Sequence, residues 1–281
     1  MIVAADGRAD LAGVTWRAEV RARLYGVGIG VRVAEEEHLP ALMAHLPHGA
    51  AVDPGARVDR RFSVVRREDG GVPMFHLYAG ARHVARHVDL ERLARSFAAR
   101  ARHVVAARAQ RRIFIHAGVV GWQGRAVVVP GRTLTGKTSL VAELVRAGAV
   151  YYSDEYAVLD EHGSVHPFAK PLSIRTAAGQ PQDLIDVERL GGCAGTAPLR
   201  IGAVLATRYV PGAEWRPDVG SRGAAALALF DNAIAARRRF GEVADAVTAA
   251  LDGDVRTWQG IRGDAQAVAR WVLAEMAGER I

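Results

Sequence analysis

Apolar and polar positions alternate with period two over residues 25–33 (YGVGIGVRV), which predicts a strand. Residues 35–46 read as a short helix closed by Pro47-His48-Gly49. Residues 62–66 and 74–78 read as two strands around the loop Glu68-Asp69-Gly70-Gly71. From about residue 89 to residue 111 the pattern changes period. Leu90, Leu93, Phe97, Ala101 and Val104 step by three and four, predicting a helix with one buried face and its arginines in water. Seven histidines are scattered here (His38, His45, His48, His76, His83, His87, His103), and no chemical constellation stands out. His83 and His87, four apart, would meet on a helix face, but no third ligand lies near.

After Arg112 the chain becomes short strands, glycine turns and helices. Residues 113–116 form a strand candidate, and Val119-Val120 with residues 125–129 flank Trp122-Gln123-Gly124, a hairpin signal. Residues 138–147 predict a helix carrying Leu140, Val141, Leu144 and Val145, ended at Gly148. Residues 156–159 and 164–166 flank Asp160-Glu161-His162-Gly163 as a second hairpin. Residues 199–209 read as a core strand from which Arg208 reaches toward a ligand, and residues 180–195 as a lid-length polar stretch. Helices follow at 223–236, 242–251 and 264–276, the last with Val268, Trp271, Val272 and Met276 at helical spacing. The boundary falls near residue 110, giving an N-terminal α+β domain over 1–110 and a second domain over 111–281.

The 281 residues are 50% hydrophobic and 24% charged, enough to bury a core. No run approaches the roughly 18 apolar residues of a membrane span. Asp6, Arg8 and Asp10 interrupt the start, so a secretory leader is not expected. The single Cys193 allows no internal disulfide and has no identifiable partner. The expectation is a soluble, cytoplasmic protein. A formal charge of +7 invites nucleic acid, but aromatics are not interleaved with the basic residues as on a base-stacking surface. Lysine stands only at Lys137 and Lys170; the other basic residues are arginine, a compositional habit and not a binding patch. Neither nucleic acid nor a membrane is expected as partner.

One of those two lysines sits in a pattern with a mechanism. Gly131-Arg132-Thr133-Leu134-Thr135-Gly136-Lys137-Thr138, followed by Ser139, fits G-x-x-x-x-G-K-[ST] between a predicted strand and a predicted helix. Glycines let successive amides turn inward on a phosphate chain, the lysine reaches the β- and γ-phosphates, and the threonine hydroxyl coordinates Mg²⁺. Seventeen residues beyond Lys137 the next strand ends in Asp154-Glu155. In a parallel α/β sheet that end faces the nucleotide, where acids hold Mg²⁺ or take the proton of an attacking hydroxyl. Lys170 and Arg175 are further candidates to reach a phosphate or an acidic substrate. No Asn-Lys-x-Asp or Ser-Gly-Gly-Gln signature points to a GTPase or an ABC ATPase.

The runs IHAGVV, PGRTLTGKTSL and ELVRAGAVYYSDE resemble the kinase domain of the HPr kinase/phosphorylase family over about residues 112–175. The wording of YSDEY and PLSIR is similar to bacterial HPr-kinase-like proteins. The resemblance implies a P-loop kinase core of the type shared with phosphoenolpyruvate carboxykinase. It implies His116 beside the phosphates, Lys137 and Thr138 as the loop pair, Asp154 as the base toward a hydroxyl, and Glu155 in place of a second aspartate. It also implies ATP and Mg²⁺ as cofactors, with Thr138, Asp154 and Glu155 as the metal ligands. The acceptor is then a serine of a protein or peptide, a precursor in peptide modification among them. Where the family has Glu-x-Arg-Gly, this chain has Ser173-Ile174-Arg175-Thr176. A small-molecule kinase and a non-catalytic nucleotide sensor or scaffold remain as alternatives, and a homo-oligomer stays open. The first 110 residues resemble no part of that family in any nameable feature.

Overall fold

The computed structural model describes residues 11–132, 135–174 and 183–278. The chain is mixed α/β and divides into two compact units, Met1–Gln110 and Arg111–Ile281.

The first unit holds β1 (Ala18–Leu24), β2 (Val27–Val33), α1 (Leu39–Met43), β3 (Ala51–Val52), β4 (Arg60–Asp69), β5 (Val72–Ala79), β6 (Arg82–His87) and α2 (Leu90–Arg108). Its sheet runs β3-β1-β2-β4-β5-β6, with β2 and β4 parallel and the other neighbours antiparallel. The strand expected from residue 25 begins at Val27, because Tyr25 and Gly26 (φ 48° and 78°) make a two-residue hairpin turn from β1. Such turns need positive φ at both central positions and match the right-handed twist of the strands they join. Asp89 caps α2 by accepting from the Glu91 amide. The buried stripe of α2 drifts from the expected Val104 to Val105, and Phe97 meets Phe62 edge-to-face at 5.2 Å. His83 and His87 are not on a helix. Both lie on β6, where His83 meets His76 of β5 at 3.2 Å and His87 Nδ1 accepts from the Asp89 amide, so they do not converge on a metal.

The second unit holds β7 (Ile113–Trp122), β8 (Arg125–Pro130), α3 (Lys137–Arg146), β9 (Val150–Ser153), β10 (Tyr156–Leu159), β11 (Ser164–His166), β12 (Leu172–Ile174) and β13 (Asp183–Ile185). β14 (Leu199–Tyr209), β15 (Asp218–Val219), α4 (Arg222–Asp231), α5 (Phe240–Ala250), β16 (Arg256–Arg262) and α6 (Ala265–Ala277) complete it. Eight strands form one sheet along β11-β10-β7-β8-β14-β16-β15, with β9 on β7; β11 also pairs with β14, so five strands close a ring. β12 and β13 pair separately. Side chains alternate across β8. Val127 and Val129 pack toward α3 and α6, Ala126 and Val128 toward α4 and α5. Gly118 of β7 lets α3 come close, since a Cβ there would meet Val141 Cγ2 at 2.5 Å.

Strand direction positions the site, and it differs from the simple parallel arrangement expected. β7 is antiparallel to both β8 and β9 and lies between them. The two outer strands therefore point the same way and end at the same edge. β14 runs parallel to β8 and β16 parallel to β14, so four C-terminal strand ends gather there. His116 was expected to close a strand; β7 instead continues through it to Trp122, changing partner from β10 to β8 at that point. The stretch expected as a lid is not a free loop over residues 183–195. It forms β13 and a short 3₁₀ turn, and Cys193 and Gly195 exchange backbone hydrogen bonds with Tyr151. Residues 180–182 lie outside the described residues.

Candidate phosphate and metal site

The loop leaves β8 at Pro130 and enters α3 at Lys137. Its start is fixed by the Gly131 amide, which donates to the His116 carbonyl at 3.0 Å. The Arg132 carbonyl accepts from Lys137 Nζ at 2.6 Å and from Thr135 Oγ1 at 2.9 Å, folding the loop back on itself. Gly136 adopts φ +79°, left-handed backbone that only glycine takes freely, and this aims the first turn of α3 at the loop. Lys137 and Thr138 follow on the helix, Lys137 buried and Thr138 half-buried; Ser139 is exposed. Thr133 and Leu134 lie outside the described residues, as does Arg175.

Asp154, one residue beyond β9, is the centre of the opposite wall. Its side chain is 2% exposed, and four polar groups approach it. Thr138 Oγ1 at 3.1 Å and the Ser173 amide at 3.3 Å approach Oδ2. Lys170 Nζ at 2.7 Å and the Tyr151 hydroxyl at 3.1 Å approach Oδ1. The tyrosine hydroxyl also lies 2.9 Å from the Lys170 carbonyl oxygen. Glu155 stands beside it, its Oε2 4.0 Å from Lys170 Nζ. The structure thus brings Lys137, Thr138, Asp154 and Glu155 to one edge. It places Lys170 on the acid pair and not outward toward a ligand.

Burial sets the proton affinities. Desolvation pushes the Lys137 ammonium down to about 8, against the opposing pull of Asp154 and Glu155. Tyr151 is driven well above its ordinary value, first by burial and then by the Asp154 charge, so its proton stays on oxygen. His116 contributes its backbone to Gly131 while its ring stacks on Tyr156 at 5.0 Å.

Sequence reasoning missed Arg262. It ends β16, is 1% exposed, and donates from Nη2 to the Gly136 carbonyl at 2.6 Å and from Nε to Thr207 Oγ1 at 3.3 Å. Its guanidinium lies over the Tyr209 ring, and burial lowers its proton affinity. Among the described residues no carboxylate pairs with it, and it stands at a helix N-terminus, where the dipole disfavours a cation. Arg208, the arginine expected to reach the ligand from β14, is exposed instead. Its neighbour Tyr209 pairs with Arg262. One arginine in so many carries no sequence signal of its own, and the strand that places Arg262 was not anticipated.

No family model matches this chain, and no curated protein matches it. Among solved structures it is similar to the "Hpr(Ser) kinase/phosphatase from Coxiella burnetii". That match is 12% identical, covers 59% of this chain and 97% of the other, and has a TM-score of 0.33. A likeness of that size assigns no function. What the site can do is read from its own groups.

Those groups are a helix start, a buried ammonium and hard oxygen donors. Among the described residues no three His, Cys, Asp or Glu side chains gather around a metal position. Two carboxylates and a hydroxyl suit Mg²⁺, which takes few protein ligands and completes its shell with phosphate and water. Thr138 and the Oδ2 side of Asp154 fit that role; Glu155 fits it less freely, because Lys170 stands between the two acids. Among the described residues no helix is long and apolar enough to cross a membrane.

Proposed function

We propose that the chain binds ATP with Mg²⁺ on residues 131–139 and transfers the γ-phosphoryl group to a hydroxyl. The observation that carries this reading is the 3.1 Å contact between Thr138 of the loop and Asp154 of the acidic strand end. It joins the two halves that a phosphotransfer site needs, a phosphate cradle and an acid aimed into it. Lys137 pairs with the phosphate oxygens, whose charge restores the proton affinity that burial takes from it. Thr138 and Asp154 hold the metal, which supplies neutralisation of phosphate charge. The acceptor oxygen attacks the γ-phosphorus, the bond to the bridging oxygen breaks with its electron pair leaving on ADP, and the acceptor's proton passes to Asp154. One of the four groups around Asp154 must give way for that. The acceptor class, a serine of a protein or peptide, follows from the family resemblance of the sequence.

The full engagement of the Asp154 carboxylate favours one other reading, a nucleotide sensor without turnover. Asp154→Asn separates the two. We expect ATP binding by calorimetry to change by less than about tenfold while phosphoryl transfer to a serine peptide pool falls by three orders of magnitude or more. Transfer that survives removes Asp154 as the base. Wild-type binding without any turnover establishes the sensor.

A further inference from the structure

Building on the reading of Thr138 and Asp154 as metal ligands, we propose that Lys170 is a tethered cation of the site. Its ammonium fills the place between the Asp154 and Glu155 carboxylates that a second divalent ion would otherwise take. The site then holds one metal ion per chain, not two.

The two oxygens of Asp154 face different partners. Oδ2 receives Thr138 from α3 and the Ser173 amide from β12. Oδ1 receives Lys170 at 2.7 Å and Tyr151 at 3.1 Å. Lys170 reaches onward to Glu155 at 4.0 Å, so a single charge serves both acids. Adjacent carboxylates repel, and burying one alone is expensive; a cation between them relieves both costs. The side chains of Lys170 and Asp154 are 13% and 2% exposed, so solvent and salt screen this attraction weakly.

The lysine is held in place by its own backbone. Its carbonyl oxygen lies 2.9 Å from the Tyr151 hydroxyl, the residue after it is Pro171, and Ser173 of β12 binds the same carboxylate through its amide. Ser173 Oγ also lies 3.5 Å from Lys170 Nζ, so at this position the chain has a neutral hydroxyl against the ammonium and no third acid. In a chain with two lysines, one lies in the phosphate loop and the other on the acid pair.

The test counts ions on the full chain, with Mn²⁺ as the probe, by electron paramagnetic resonance in the presence of a non-hydrolysable ATP analogue. Wild type is expected to bind one Mn²⁺, and Lys170→Met to gain a second whose affinity exceeds any second event in wild type at least tenfold. Lys170→Arg, which keeps the charge, is expected to stay at one. Two ions on wild type, or one ion with unchanged affinity in Lys170→Met, overturns the role of the lysine and leaves the reading of Thr138 and Asp154 standing. No ion on either protein overturns both. Should Lys170→Met fail to fold by circular dichroism, the wild-type stoichiometry decides alone.

Discussion

The first unit keeps its charges in water, and the second hides some of them. Arg23–Asp53, Arg61–Glu19 and Arg86–Asp69 in the first sheet are pairs with at least one partner well exposed. Among the described residues its buried polar side chains are His38 and Ser63. The second unit buries Lys137, Asp154 and Arg262, and all three stand at the edge where β8, β9 and β16 end. Exposed pairs contribute about 0–1 kcal/mol, whereas each buried ion costs several kcal/mol before its partners offset it. Three such costs at one edge are what single it out as the candidate site. The contrast marks the site more sharply than any single motif does.

Arg262→Met tests that contrast hardest. If the guanidinium is there for an anion, removing it leaves the fold intact or more stable by up to about 2 kcal/mol, because no carboxylate loses its partner. Mg²⁺–ATP affinity then falls at least about tenfold, roughly 1.4 kcal/mol. Thermal denaturation and titration calorimetry read the two effects separately. A destabilised protein with undiminished affinity would make Arg262 a clamp on the Gly136 carbonyl and nothing more.

Arg262 also shows where the sequence stops being informative. The candidate loop over 131–138 stood out because phosphate chemistry demands glycines, a lysine and a hydroxyl at fixed spacing along one turn, and the structure sets its Lys137 and Thr138 at the start of a helix after β8. The hairpins over 156–166 and the strand 199–209 were legible because alternation and turn residues are local signals, and both appear with the bounds expected. β1 does alternate, Ala18, Val20, Ala22 and Leu24 against Glu19, Arg21 and Arg23, and was readable; β6 and β16 were not, since their polar and apolar residues keep no regular period and their burial is decided by neighbours far along the chain. The same holds for the antiparallel β7 between β8 and β9: pairing direction is a tertiary property. Lys170 was visible as a residue, but its partner was not, because the β10–β11 hairpin lies between it and Asp154 in the chain.

Asp160 lies between the two extremes, a half-buried carboxylate in the turn from β10 to β11. Burial pushes its proton affinity up, but His166 and the amides of Ser164 and His162 donate to it and outweigh that, leaving it below the ordinary aspartate range. A carboxylate held low in the folded state stabilises above the unfolded value, near pH 4, and that contribution fades as pH falls through the folded value. Asp160→Asn should therefore cost about 1 kcal/mol at pH 7, read from urea midpoints, and progressively less toward pH 3. A gap between the two proteins that stays constant across that range would mean the charge contributes nothing.

Arg86→Ala should do least, and for that reason it sharpens the comparison. Its pair with Asp69 is well exposed, so the loss at pH 7 is expected within about 0.5 kcal/mol. Its secondary effect is on the His76–His83 pair, whose proton affinities are lowered chiefly by burial and further by neighbouring cations that include Arg86. Histidines held low in the folded state take up protons more readily when unfolded, so stability declines as pH drops below about 6.5. Without Arg86 that decline should be shallower. Urea melts at pH 7.5 and pH 5.5 measure both effects at once. A loss above about 1 kcal/mol at pH 7.5 would show that the first unit, too, depends on a specific ion pair, and the division between screened and buried charge would no longer separate the two units.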